Sequence, residues 1–226
     1  MGALLDLIRV LYEPAAVFER VRERPRFLIP VFALIVLSLG IGFLAMPYVK
    51  AAIGAVMAQR APAGAQSPMN AGTAALVQVV ASAIFVPIFL VLSAGVLWIA
   101  VSLFGEDAKY RLLLSVVTYT SVFYILQLLA GFAVLSLRGV ARVTSPADLQ
   151  PAFGLDLLAP GMSGYLGAVL KGINVFSVAG VLYNGIGIAT THRTSKQTGY
   201  TAAAVAFVVT VLVVSLFALL QPKAPA

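Results

Sequence analysis

Six small or polar residues, Asn174, Ser177, Gly180, Asn184, Gly187 and Thr191, follow one another at steps of three, three, four, three and four. At about 100° per residue they fall on one face of a helix. In lipid, small residues let helices approach closely, and asparagine side chains hydrogen-bond across the contact. The same pattern serves three ends: a packing seam, a polar path for a solute or proton, or dimerisation. A shorter stripe, Thr120, Tyr124, Gln127 and Gly131, has the same spacing and can face the first. One interhelical hydrogen bond between such stripes is worth on the order of 0.6–2 kcal/mol.

Groups for covalent or acid–base chemistry are scarce. Cysteine is absent, which excludes disulfides, thiolate catalysis and cysteine-ligated metal. The single histidine, His192, sits in a turn beside Arg193 and leaves no multi-histidine metal site. Glu106 and Asp107 read as a solvated turn next to Lys109 and Arg111, not as an acid/base pair. There is no phosphate-binding glycine loop and no nucleophile elbow. No acidic residue falls inside an apolar run, whereas ion-coupled transporters and proton pumps place ionisable groups at membrane depth. We assign no catalytic residue, no metal ligand and no cofactor, and expect a protein that is not an enzyme.

The elements that position the stripes are apolar runs. The chain of 226 residues is 61% hydrophobic and 10% charged, with a mean hydropathy of +1.02. A soluble domain is about a quarter charged, and a bilayer core takes about 20 apolar residues per helix. The runs are too long and too unalternating for barrel strands. They predict an all-α, polytopic membrane helix bundle of five transmembrane helices, roughly Phe27–Val49, Ala74–Phe104, Tyr110–Leu137, Gly172–Thr190 and Tyr200–Leu220. The first run reads as a retained span, because 26 residues precede it and it is longer than a signal-peptide core. Pro87 predicts a kink in the second span. The connection "TSPADLQPAFGLDLLAPGMSG" predicts a short interfacial helix near Leu155–Leu158. Lys171 is expected to snorkel outward from its helix end. No internal repeat is visible.

Residues 1–26 form a separate, cytoplasmic segment ahead of the membrane domain at 27–226. Leu4, Leu7, Ile8 and Leu11 recur at helical spacing. After Pro14, which suits a first helical position, Val17, Phe18 and Val21 make a second apolar face. This predicts an amino-terminal amphipathic interfacial helix, broken at Pro14 and ended by Pro25, with Leu4, Leu11 and Phe18 dipped into the headgroups. Arg20, Arg22, Arg24 and Arg26 would anchor it at the cytoplasmic interface. Five arginines against four acids through residue 26 leave about one net charge, too little for a polybasic lipid switch. The net charge of +7 does not point to nucleic acid, because the charges lie between apolar runs and there set orientation. Nine Lys and Arg fall on the amino-terminal side and six on the other. The amino terminus is therefore expected in the cytoplasm and the carboxyl terminus outside.

Three stretches together resemble the Yip family, the Ypt/Rab-interacting proteins. "LYEPAAVFERVRERPRFLIP" is similar to the proline-led helix that precedes the first span in bacterial members. "FGEDAKYRLLLSVVTYTSVFYIL" resembles their glycine turn and tyrosine-bearing third span. "INVFSVAGVLYNGIGIATTHRTSKQTG" resembles a motif of the type Asp-x-Phe-x-x-Trp followed by a glycine-bearing stretch and a basic turn. Phe176, Gly187, Arg193 and Lys196 fit it, and the likeness covers nearly the whole chain. Asn174 stands where the family often has Asp, and Ala179 where it often has Trp; an ionised group at 174 is thus unavailable here.

The resemblance implies a five-span, non-enzymatic integral membrane protein that acts as a scaffold, membrane-shaping or assembly and trafficking factor. Eukaryotic relatives are linked to Rab GTPases and vesicle traffic. The Ala- and Arg-rich composition looks bacterial, and bacteria lack that machinery. The expected location is the bacterial inner membrane, with lipids, other membrane proteins or a second copy as partners. The alternative is a small-solute or lipid transporter using the polar seam between the third and fourth spans.

Overall fold

The computed structural model describes residues 2–60 and 70–220. Most of the predicted loop "AQRAPAGAQSPMNAG" and the carboxyl-terminal residues 221–226 lie outside them. Among the described residues all regular structure is helical. Two short helices, α1 (Gly2–Arg9) and α2 (Pro14–Glu23), precede α3 (Leu28–Leu44) and α4 (Met46–Arg60). Then come α5 (Ala71–Leu103), α6 (Tyr110–Thr120), α7 (Val122–Arg138), α8 (Gly164–Gly172), α9 (Val175–His192) and α10 (Lys196–Ser215). Short 3₁₀ turns at Val140–Arg142, Pro146–Leu149 and Leu155–Leu158 lie between α7 and α8, and Leu216–Leu220 extends α10.

Three helices are long and apolar enough to cross a membrane: α5, the nearly continuous Tyr110–Arg138 and Lys196–Leu219. α3 and α4 add a fourth if they count as one span, bent by 63°. The predicted first span is therefore two helices. Pro47 explains the break, since it lacks the N–H that would continue α3. α9 has the length of a span, but Tyr183, Asn184 and His192 dilute its hydropathy. Length and composition thus give three or four candidate spans where the sequence predicts five. Pro87 lies inside α5, and the helix continues through it.

The burial pattern shows what solvent these helices need. In α5 the buried residues Ala75, Val79, Ala83, Val86, Leu90, Ala94, Leu97 and Val101 form one stripe at helical spacing. Ile84, Phe85, Leu92, Ile99 and Leu103 on its other faces are exposed. A helix apolar all round but covered along one stripe leaves the rest to lipid. α6 is the opposite case, buried at every residue from Leu112 to Thr120. Two of its hydroxyls turn back onto its own carbonyls: Ser115 donates to Arg111 and Thr118 to Leu114. The buried hydroxyls of Ser115 and Thr118 therefore do not depend on water.

The chain divides into two compact units. One comprises residues 34–87 and 125–151. Its core joins Ala52, Leu135 and Val143, with Tyr48 packed edge-on to Phe132 at 6.4 Å. Within it α3 and α5 meet closely, since a Cβ on Gly42 would lie 2.8 Å from Val79 Cγ1. The other unit comprises residues up to 33, 88–124 and 152 onward. It holds α1, α2, α6, α8, α9 and α10, and the candidate site lies within it.

Candidate functional site

α9 begins where Asn174 caps it. The Asn174 Oδ1 accepts the N–H groups of Phe176 and Ser177 at 3.0 Å each, and Ser177 Oγ accepts the Asn174 N–H at 2.9 Å. This reciprocal box satisfies donors that a helix start leaves open. Asn174 thus ends the stripe as a cap, and Ser177 serves that cap. The Asn174 amide nitrogen donates to the Lys171 carbonyl of α8 at 3.0 Å.

Further along α9 the seam closes. Thr120 Oγ1 donates to Asn184 Oδ1 at 2.9 Å, so the two predicted stripes meet at this pair. One turn on, a Cβ on Gly187 would lie 2.5 Å from Val116 Cγ1 and 3.2 Å from Phe18 Cζ. Only glycine admits that approach. Thr191 Oγ1 donates to its own helix at Gly187. Other stripe members stand apart. A Cβ on Gly180 would meet nothing within 4 Å, so the close contact expected there is absent. Tyr124 is exposed and has no hydrogen bond to α9, and Gln127 is half-buried.

The amino-terminal helices complete the site. Leu7, Val10, Val17, Phe18 and Val21 form one buried cluster with Val116 and Tyr119 of α6, flanked by Tyr183 and Ile186 of α9. Phe18 is fully buried, which corrects its expected place among headgroups. Tyr183 OH donates to the Leu11 carbonyl at 2.7 Å, and its ring packs edge-on to Phe123 at 4.7 Å. Arg20 pairs with Asp6 at 2.6 Å, holding α1 to α2. Arg22 donates to the Thr190 carbonyl at 3.3 Å, one of the open acceptors near the end of α9. Arg24 and Arg26 are exposed. Two of the four expected lipid anchors therefore hold protein.

At the same end of α9, Lys109 N–H donates to His192 Nε2 at 3.1 Å, and Thr194 donates to Glu106. Burial pushes the His192 pKa down. Arg193 takes the left-handed backbone (φ 54°) that stops the helix. Sequence reasoning missed the α9–α10 contact. A Cβ on Gly185 would strike the Tyr200 ring at 2.3 Å, and one on Gly199 the Gly185 carbonyl at 2.5 Å. Its signal is Gly199, Ala202, Ala203 and Ala206, small and buried at one helical spacing.

Among the described residues no group of three His, Asp or Glu could hold a metal ion. What the arrangement does chemically is pack: each polar group of the α9 stripe with an assigned partner finds it inside the protein.

The Yip1 domain matches residues 8–219. The chain belongs to the Yip1 family. The match takes in α2 to α10 and the last two residues of α1. The searches of curated proteins and of solved structures returned no match. A Yip1 domain with several long apolar helices is a multi-pass membrane protein built as a helix bundle, and its apolar surface contacts lipid.

Proposed function

We propose that this Yip1 protein is a non-enzymatic scaffold of the bacterial inner membrane, a membrane-shaping or assembly factor with five crossings. Its amino terminus is cytoplasmic and its carboxyl terminus external. The observation that supports this best is the Thr120–Asn184 hydrogen bond, with Val116 and Phe18 packed against Gly187 beside it. A stripe whose Asn184 bonds Thr120 and whose Gly187 is covered serves packing rather than conduction. The amino-terminal segment fits an interfacial role on its other side. Leu4, Leu5, Ile8 and Tyr12 of the α1 region are exposed while Ala3, Asp6, Leu7 and Val10 face inward. That outer face lies in the headgroup plane and is the surface offered to lipids, to other membrane proteins or to a second copy.

The test pairs thermal unfolding in detergent with flux into proteoliposomes, using Asn184→Leu. A scaffold gives no flux in the parent over a panel of small solutes and labelled lipids, and Asn184→Leu lowers stability by about 1 kcal/mol. Saturable flux by the parent, lost in a normally stable Asn184→Leu, establishes the transporter alternative instead.

A further inference from the structure

α8 and α9 pair as one antiparallel track along α10. Gly185 lies against Tyr200, Gly199 against Ala189, and a Cβ on Gly172 would be 3.1 Å from Val211 Cγ1. Val211 is eleven residues past Tyr200 and nine before Leu220, so it sits about 14–16 Å from each end of that apolar run at 1.5 Å per residue. A hydrocarbon core is about 30 Å thick. With α10 as a crossing, the break between α8 and α9, at Ile173–Asn174, therefore lies near mid-depth.

A broken backbone at that depth has no water to satisfy it. Here five successive N–H groups all have acceptors. Ile173 donates to Leu170 at 3.2 Å, and Asn174 to Ser177 Oγ at 2.9 Å. Val175 donates to Phe153 at 3.5 Å, and Phe176 and Ser177 to Asn174 Oδ1. Two carbonyls at the break are also taken: Asn174 Nδ2 donates to Lys171, and Leu155 N–H to Ile173 at 3.1 Å. Two of these partners come from the stretch Phe153–Leu155, so that stretch must reach the same depth. It fits there because residue 154 is glycine; a Cβ would lie 2.1 Å from the Ile173 carbonyl.

We propose that residues 152–172 form a re-entrant element seated in the leaflet at the carboxyl end of α10, its outer surface covered by acyl chains. With α9 it makes one discontinuous crossing. The surface suits that occupant. Leu157 is 63% exposed, Leu158 81% and Leu166 62%, with Met162 between them. Residues 157–170 carry no charge. Of the two bordering ionisable groups, Asp156 turns its carboxylate to the Gly154 N–H at 3.1 Å. This inference rests on the reading of α10 as a crossing and not on the scaffold role.

The test uses tryptophan as a depth reporter. In a Trp98→Phe background, Leu158→Trp is compared with Leu212→Trp on the exposed side of α10 and with Asp107→Trp in a turn. Each full-length variant is reconstituted in phosphatidylcholine vesicles with plain or brominated acyl chains, and acrylamide is added from water. The expected result is that Leu158→Trp follows Leu212→Trp, with blue-shifted emission, strong loss in brominated lipid and little loss to acrylamide. If Leu158→Trp follows Asp107→Trp while Leu212→Trp is quenched by bromine, the re-entrant element is overturned and the crossing stands. If Leu212→Trp is not quenched by bromine, both fall. Hydrogen exchange of the unmodified protein in nanodiscs gives an independent reading. Slow exchange at Leu155 and Val175–Ser177 supports the proposal, and rapid exchange across 152–177 overturns it.

Discussion

The phenol of Tyr183 donates to the backbone carbonyl of Leu11 at 2.7 Å, tying the link between α1 and α2 to a helix 172 residues further along the chain. The bond fixes the chain at the point where it leaves α1, just before Pro14 starts α2.

Tyr183→Phe keeps the ring against Phe123 and deletes only this donor. The expected loss is about 1 kcal/mol. Amide exchange over residues 2–12 should accelerate more than exchange over α9, because the bond restrains α1 more than the bundle. Equal changes in both segments would show that Tyr183 stabilises the bundle as a whole.

Two glycines of one stripe should respond in opposite senses. Gly187→Ala drives a Cβ onto buried Val116, whose branched side chain has little freedom to move, and should cost about 1–3 kcal/mol. Gly180→Ala meets open space and should be neutral or gain up to about 1 kcal/mol from helix propensity. Unfolding midpoints in detergent distinguish the two.

His192 should titrate below the ordinary imidazole value of about 6.5, because burial disfavours its charged form. Between its folded and unfolded values the unfolded chain binds more protons, so stability falls as pH drops through that window. Protonation also turns Nε2 into a donor facing the Lys109 N–H donor. As the only histidine, its ring signals are unambiguous by NMR. A titration at or above 6.5 would contradict the burial argument.

The proposed orientation is open to cysteine labelling, since the chain has none of its own. Gly2→Cys and Asp107→Cys should be silent to an impermeant thiol reagent added outside intact cells, and Ala224→Cys should react. Reaction at Gly2→Cys without Ala224→Cys reverses the topology.

Helical class and three candidate spans were readable because long apolar runs without alternation form helices in lipid. The expected Ala74–Phe104 and Tyr110–Leu137 fall on α5 and on α6–α7 within a few residues. Errors arose where a single residue changes the local backbone. Pro47 divides the first run, whereas Asn174 caps the fourth near its expected start at Gly172. Spacing alone put Asn174 on the helix face, although a cap residue stands outside the helical turn. Periodicity also identified the Val17–Phe18–Val21 face but not its cover, since an apolar face reads alike whether lipid or α6 and α9 will bury it. The Thr120 and Asn184 stripes were found by spacing; that Gly180 stands clear of any neighbour depends on the path of helices that the stripe does not encode.

The burial of Phe18 against Gly187 also has a consequence for biogenesis. The chain emerges amino terminus first, so α2 is made 169 residues before the glycine that receives it. At roughly 5–20 residues per second, the Val17–Phe18–Val21 face waits about ten to thirty seconds without its final cover. The nearest apolar surface in that interval is the bilayer beside the translocation machinery. The nascent segment is therefore expected to rest in the headgroup layer first and to transfer onto the finished bundle once α9 is in place, and site-specific crosslinking of Phe18 on stalled chains would read the transfer.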